Sequence, residues 1–114
     1  MDNLVACAFM PHPPIMIPEI GKEELETIRS TVNAAEEVSR FIKEGNPQTI
    51  VLITPHGPVF QDAASMSMHP RLKGNLAAFG VPDVVLGFET DSLLMRHIAK
   101  KAERLGVHLM PLTD

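Results

Sequence analysis

The sequence predicts an α/β fold, a mostly parallel or mixed sheet with flanking helices, and three observations predict it. The first is the run Ile50-Val51-Leu52-Ile53-Thr54, rich in apolar and β-branched residues, which ends at Pro55-His56-Gly57-Pro58. Apolarity without alternation is the pattern of a strand buried on both faces, as inside a parallel sheet. The second is a similar run, Leu4 to Met10, which ends at Pro11-His12-Pro13-Pro14. The third lies between them, where residues 22–45 carry apolar side chains at three- and four-residue steps. Strand, helix and strand in that order make a βαβ unit, whose crossover is right-handed in nearly all cases.

The elements follow along the chain. Leu4 to Met10 forms the first strand, with the lone cysteine, Cys7, as core filler in its middle. Residues 15–19 are an extended loop, because Pro13, Pro14 and Pro18 each turn their predecessor away from helix. From Lys22 to about Gly45 a long amphipathic helix presents Leu25, Ile28, Val32, Ala35, Val38, Phe41 and Ile42 on one face. Glu24, Arg29, Asn33, Glu36, Glu37 and Arg40 fill the other. Acids at its start, Lys43 near its end and the stop Gly45-Asn46-Pro47 agree with the helix dipole and with termination. The strand ending at His56 comes next. Gln61 to Met68 alternates small polar and apolar residues as an edge strand does, Pro70 to Gly80 reads as irregular, and Val81 to Phe88 reads as a short strand or extended loop. Thr90 or Asp91 caps a second helix running to about Leu105, with Leu93, Leu94, Ile98, Ala102 and Leu105 as its stripe and Gly106 just past its end. Val107 to Leu112 is the last strand.

Composition narrows the function classes. A chain of 114 residues allows one domain, 1–114, and its 45% hydrophobic and 21% charged residues are those of an ordinary globular protein. Fourteen acids against ten bases, with five Phe and neither Trp nor Tyr, argue against nucleic acid as a partner. A single cysteine excludes an internal disulfide and suits a reducing compartment. Met1-Asp2-Asn3 lacks the basic start of a signal peptide, and the apolar run after it is too short to span a bilayer. The expected location is the cytoplasm. Two helices are too few to cover both faces of a sheet of four or five strands, so the expectation is an incomplete domain that associates with another copy or with a missing half.

Five histidines, at 12, 56, 69, 97 and 108, are the candidates for chemistry. His97, beside Arg96 on the second helix, and His108, in the last strand, read as solvated or structural. His69, before Pro70, is open to either reading. His12 and His56 stand apart, because each occupies a proline-framed turn at the carboxyl end of a predicted strand, the edge where α/β sheets collect ligands. Neighbouring strands lie about 4.8 Å apart, close enough for two imidazoles to reach one ion at roughly 2.1 Å. Such a pair suits Fe(II), Zn(II), Mn(II) or Cu(II). From the residues alone, Glu19 or Asp62 completes a two-histidine, one-carboxylate face, or each simply holds its own loop or sits in water.

Pro11-His12-Pro13-Pro14 after an apolar run, Thr54-Pro55-His56-Gly57-Pro58, then Phe60, Asp62 and Ala78-Phe79-Gly80-Val81-Pro82, resemble the N-terminal part of the LigB family of class III extradiol ring-cleaving dioxygenases. The likeness is to the branch found in the AmmeMemoRadiSam system, and it covers essentially the whole chain. It implies an α/β fold and a non-haem Fe(II) held by two histidines and a glutamate, with a catechol-type aromatic substrate and O₂ as reactants. Position by position, His12 and His56 match the iron-binding histidines. The glutamate ligand and the acid/base histidine belong to the second half of a longer polypeptide, so the catalytic residues are unknown here, and neither Glu19 nor Asp62 corresponds to that glutamate. Two other classes stay open: a non-oxygenase metal-dependent or redox protein on the same fold, and a structural α/β interaction domain.

Overall fold

A computed structural model of the chain describes residues 3–113. They form a mixed α/β protein with one parallel and one antiparallel strand pair, divided into two compact units. Unit 1 takes residues 3–50 with 75–84, and unit 2 takes 51–74 with 85–113.

Unit 1 is built around a long helix. After a 3-10 turn, Pro14–Met16, the short helix α1 spans Pro18–Gly21, each with proline in its first turn, where the missing N–H is harmless. Gly21 is buried with the Ile15 carbonyl so close that a Cβ has no room, so the chain needs glycine there. Lys22 then takes a positive φ of 48° and the path breaks. The single helix expected from Lys22 is therefore two pieces, a 3-10 segment over Lys22–Ile28 and the helix α2 over Arg29–Glu44. Glu23-Glu24-Leu25-Glu26 is good helix-forming sequence, and only β-branched Thr27 and Ile28 are weaker, so propensity does not account for the break. The 3-10 geometry stacks residues three apart and thereby sets Glu26 over Arg29, with which it forms an ion pair.

The apolar face is largely the expected one: Val32 of α2 is buried at 9% exposure, and Ala35, Val38 and Ile42 of α2 are half-buried, as are Leu25 and Ile28 of the 3-10 segment. Phe41 departs from it and lies in solvent. Termination falls one residue later than glycine usage suggests, since Gly45 keeps a helical φ of −69° and Asn46 adopts 49°. Asparagine tolerates the left-handed region better than other non-glycine residues.

Unit 2 is organised by a parallel ladder. Strand β1, Ala64–Ser67, pairs with β4, Leu109–Leu112, in the register Ala64 to Leu109 through Ser67 to Leu112. The Ala64 amide donates to the His108 carbonyl (3.1 Å) and the Met68 amide to the Leu112 carbonyl (2.8 Å), extending the pairing at both ends. Between them in the chain come β2, Arg71–Leu76, and β3, Val81–Glu89, paired to each other across the 3-10 turn Ala77–Phe79 and the left-handed Gly80; the tip of this hairpin, residues 75–84, belongs to unit 1 and its base to unit 2. So short a connection permits only antiparallel pairing. The expected irregular stretch before Gly80 is thus strand β2, whose alternation of Leu72, Gly74 and Leu76 with Arg71, Lys73 and Asn75 is masked by the flanking Pro70 and the glycine. Helix α3, Ser92–Arg104, has its N-cap at Asp91, whose carboxylate accepts from the Leu94 amide at 3.0 Å. Gly106, with φ 71°, follows its end in the C′ position. Its inward side is Leu94, Met95, Ile98, Ala99 and Ala102, with Met95 the most buried at 9%, whereas Leu93 and Leu105 face solvent.

Three expectations need correction. Residues 4–10 and 50–54 carry no strand, and the first strand is β1, so the opening βαβ unit is not formed. Leu52 and Ile53 are 81% and 92% exposed. A strand buried on both faces exists only where neighbours pair with its edges and helices cover its faces, and those partners are not supplied by the described residues. Cys7, expected in a core, is exposed for the same reason.

Replacing Asp91 by Ala removes the α3 cap and is expected to cost about 1 kcal/mol, a fall of roughly 4–8 °C in Tm for a domain of this size, measured by thermal circular dichroism. At the other helix, the hydrogen bond from Arg29 and its positive charge hold the Glu26 carboxyl below its ordinary value of 4.5 and raise Arg29. The pair's contribution is therefore present above that ordinary value and lost as pH falls through the lowered one. In a carboxyl-carbon NMR titration Glu26 titrates at lower pH in the wild type than in Arg29→Ala; coincident curves would show that the pair does not persist in solution.

Candidate functional site

Each of the two histidine motifs has its own local scaffold. In unit 1, Pro13 holds φ −67° and ψ 138°, extended as the residue before a proline must be. The Met16 amide donates to the Pro13 carbonyl and the Ile17 amide to the Pro14 carbonyl, both at 3.0 Å. The backbone just after His12 is thereby fixed by two prolines and two hydrogen bonds, and its imidazole stands at the surface. Immediately before it, Phe9, Met10 and Pro11 line an open groove of about 300 Å³ with Met16 and with Ala34 and Val38 of α2. The groove is open and its wall chiefly apolar, with Ser30 and Thr31 as its polar members.

In unit 2, the Thr54 hydroxyl accepts from the His56 amide at 3.3 Å, a local side-chain turn that bends the chain at the histidine. Gly57 follows with φ 115°, a conformation that only glycine adopts without strain. Ser65 of β1 donates its hydroxyl to the Pro58 carbonyl at 3.2 Å and ties the far end of the turn to the parallel ladder. His56 is also exposed.

The remaining histidines separate by environment. His97, on the outer side of α3, and His108, just before β4, are exposed. His69 is half-buried two residues beyond β1, with its carbonyl accepting from the Thr90 hydroxyl at 2.6 Å and its amide donating to Ser67 Oγ at 3.4 Å. Sequence reasoning left His69 undecided, although His-Pro at a strand's carboxyl end repeats the logic of the other two motifs. Glu19, in α1, and Asp62, before β1, are both exposed.

Among the described residues no group of three or more His, Cys, Asp or Glu is arranged to hold a metal ion. The donor chemistry of two imidazoles suits a divalent metal, but two donors do not complete a site. The described residues therefore do not by themselves make up an iron centre.

Comparison with known proteins gives these motifs a context. The family described as the catalytic LigB subunit of aromatic ring-opening dioxygenase matches residues 6–113, a span that takes in both histidine turns. The chain belongs to the LigB family. Protein CA_C1420 of Clostridium acetobutylicum is similar to it, 32% identical over 94 residues, which are 82% of this chain and 20% of that protein. This LigB-family chain thus spans about a fifth of the length of the curated relative it matches. No solved structure matches it. Among the described residues, no helix is long and apolar enough to cross a membrane.

The turn at His56 offers a direct check on its backbone. A Cβ at Gly57 meets nothing within 4 Å, so the effect of Gly57→Ala is purely conformational. The substitution is expected to cost about 1–2 kcal/mol, read from the urea midpoint; an unchanged midpoint would mean that the turn relaxes freely.

Proposed function

We propose that this LigB-family chain carries the two-histidine part of the metal centre of an aromatic ring-opening dioxygenase. His12 and His56 are the ligands, and the remaining ligand and the acid/base group come from outside these residues. The observation that carries this reading is the family match over residues 6–113, which encloses two histidines held alike in proline-framed turns. The metal is Fe(II), with Zn(II) or Mn(II) as alternatives that imidazole also accepts. Substrates are catechol-type aromatics together with O₂. What this chain does in such a protein is to hold imidazoles on rigid turns and to offer an apolar wall beside His12. Two neutral imidazoles alone hold a metal loosely, and ring opening also needs a base poised near neutral pH.

A second reading has an observation in its favour. The exposure of residues 50–54 fits a structural α/β domain that docks another chain on its apolar runs, with cytoplasmic location and homo-oligomerisation as its companions.

Anaerobic isothermal titration of Fe(II) into the wild type and into the His12→Ala, His56→Ala double variant distinguishes the two, with Zn(II) as control. Weak, saturable binding at one site that disappears in the double variant is expected, with no turnover of catechol by the 114-residue chain. Identical titrations would remove the metal reading and leave the interaction domain in its place. Robust ring cleavage by the chain alone would show that the site is complete without further ligands.

A further inference from the structure

The chain from Pro18 to Glu44 is helical throughout, yet it is not one helix. Between α1 and α2 lie seven residues of 3-10 helix, Lys22–Ile28, entered through Lys22 at φ 48° and ψ −116°. Both features are unfavourable. A 3-10 run seldom exceeds three or four residues, because its hydrogen bonds are poorer than those of an α-helix, and a longer one marks a hinge or a sequence under strain. The Lys22 angles lie outside even the small left-handed well, in a region that ordinarily belongs to glycine. The sequence puts lysine there, and Glu23-Glu24-Leu25-Glu26 behind it favours the α-helix that is not formed. What opposes that preference is packing. The Pro14–Met16 turn and α1 both rest on the 3-10 segment, and Leu25 covers buried Gly21 with its Cδ1 3.4 Å from where a Cβ would stand.

We infer that Lys22–Ile28 is a strained hinge with a second, straight state, in which Lys22 turns to αR and one α-helix runs over residues 18–44. The change is large at the outer end. A 3-10 helix turns about 120° and rises about 2.0 Å per residue, against about 100° and 1.5 Å in an α-helix. Over the hinge this rotates the arm that precedes Lys22 by roughly 140° about the α2 axis and draws it in by roughly 3.5 Å. That arm carries Met16, which lines the groove beside His12 together with Phe9, Met10 and Ala34. The straight state takes Met16 out of the groove wall. It also pulls on the His12 turn, because the Met16 amide is bonded to the Pro13 carbonyl. A molecule seated in the groove against Met16 therefore selects the bent state. The hinge lies wholly within unit 1 and does not depend on the metal reading.

Position 22 tests it, because the two states ask opposite things of one side chain. Relaxation-dispersion and saturation-transfer NMR of the full chain are expected to show one exchange process shared by the amides of residues 22–28 and the Met16 methyl. Lys22→Gly relieves the bent state and lowers the straight population about tenfold. Lys22→Val, whose branched side chain disfavours a positive φ, raises it, and Hα-to-amide NOEs from i to i+4 replace those from i to i+2 across 22–28. Lys22→Ala removes the charge but keeps the Cβ, and stays within about twofold of the wild type. Thr27→Ala, away from the bend, raises the straight population about two- to threefold through helix propensity, and decides the matter if the valine variant does not fold. Wild-type residues 22–28 without exchange overturn the proposal. So do glycine and valine variants that shift the population in the same direction, or exchange at 22–28 that the Met16 methyl does not share.

Discussion

The parallel ladder between Ala64–Ser67 and Leu109–Leu112 is the constraint on which the rest of unit 2 depends. It joins two short segments across roughly forty intervening residues, and the entropic cost of closing such a loop rises only slowly with its length. Parallel strands cannot be joined by a tight turn, so whatever lies between them has to travel back to the starting edge. Here the β2–β3 hairpin and α3 make that return. Their own local bonds, the Asp91 cap and the Thr90 hydroxyl on the His69 carbonyl, keep the returning chain from fraying. The turn at His56 is tied to the same ladder through Ser65 and Pro58.

What was legible in the sequence was whatever is decided locally. Helix α3 could be read from Asp91 to Gly106 because a cap, a periodic stripe and a left-handed glycine act within a few residues of one another. The alternation of β1 and the apolar content of β4 likewise announced strands, whereas the stretch that forms β3 read as either a short strand or an extended loop. Illegible was whatever depends on partners. Ile50 to Thr54 has the composition of a central strand, but composition specifies a preference for burial and cannot supply the chains that would bury it. The break at Lys22 was equally hidden: it comes next to Gly21, which lies against the Ile15 carbonyl, a contact that no periodicity reports.

The site divides along the same line. Proline on either side of a histidine is visible in the sequence and has a local meaning, a fixed backbone that presents an imidazole, and both turns are built as that meaning requires. Whether imidazoles share an ion is a matter of long-range assembly, which spacing along the chain does not encode. His69 shows the intermediate case: it is half-buried, and its carbonyl accepts from Thr90, a partner brought close by a hairpin whose first strand looked irregular.

Pro55, one of the two prolines that frame His56, also bounds an apolar segment. The interval 48–54, Gln-Thr-Ile-Val-Leu-Ile-Thr, contains no charge and no glycine, is rich in β-branched residues and is exposed along Ile50–Ile53. Such a segment is the raw material of a steric zipper, in which identical strands from many chains stack into amyloid. Pro47 and Pro55 close it at both ends, and neither can donate to a growing cross-β ladder. They are gatekeepers, limiting the length over which copies can stack. Pro55 thus has two consequences at once, a bend that presents the His56 imidazole and an end to the segment over which copies could pair.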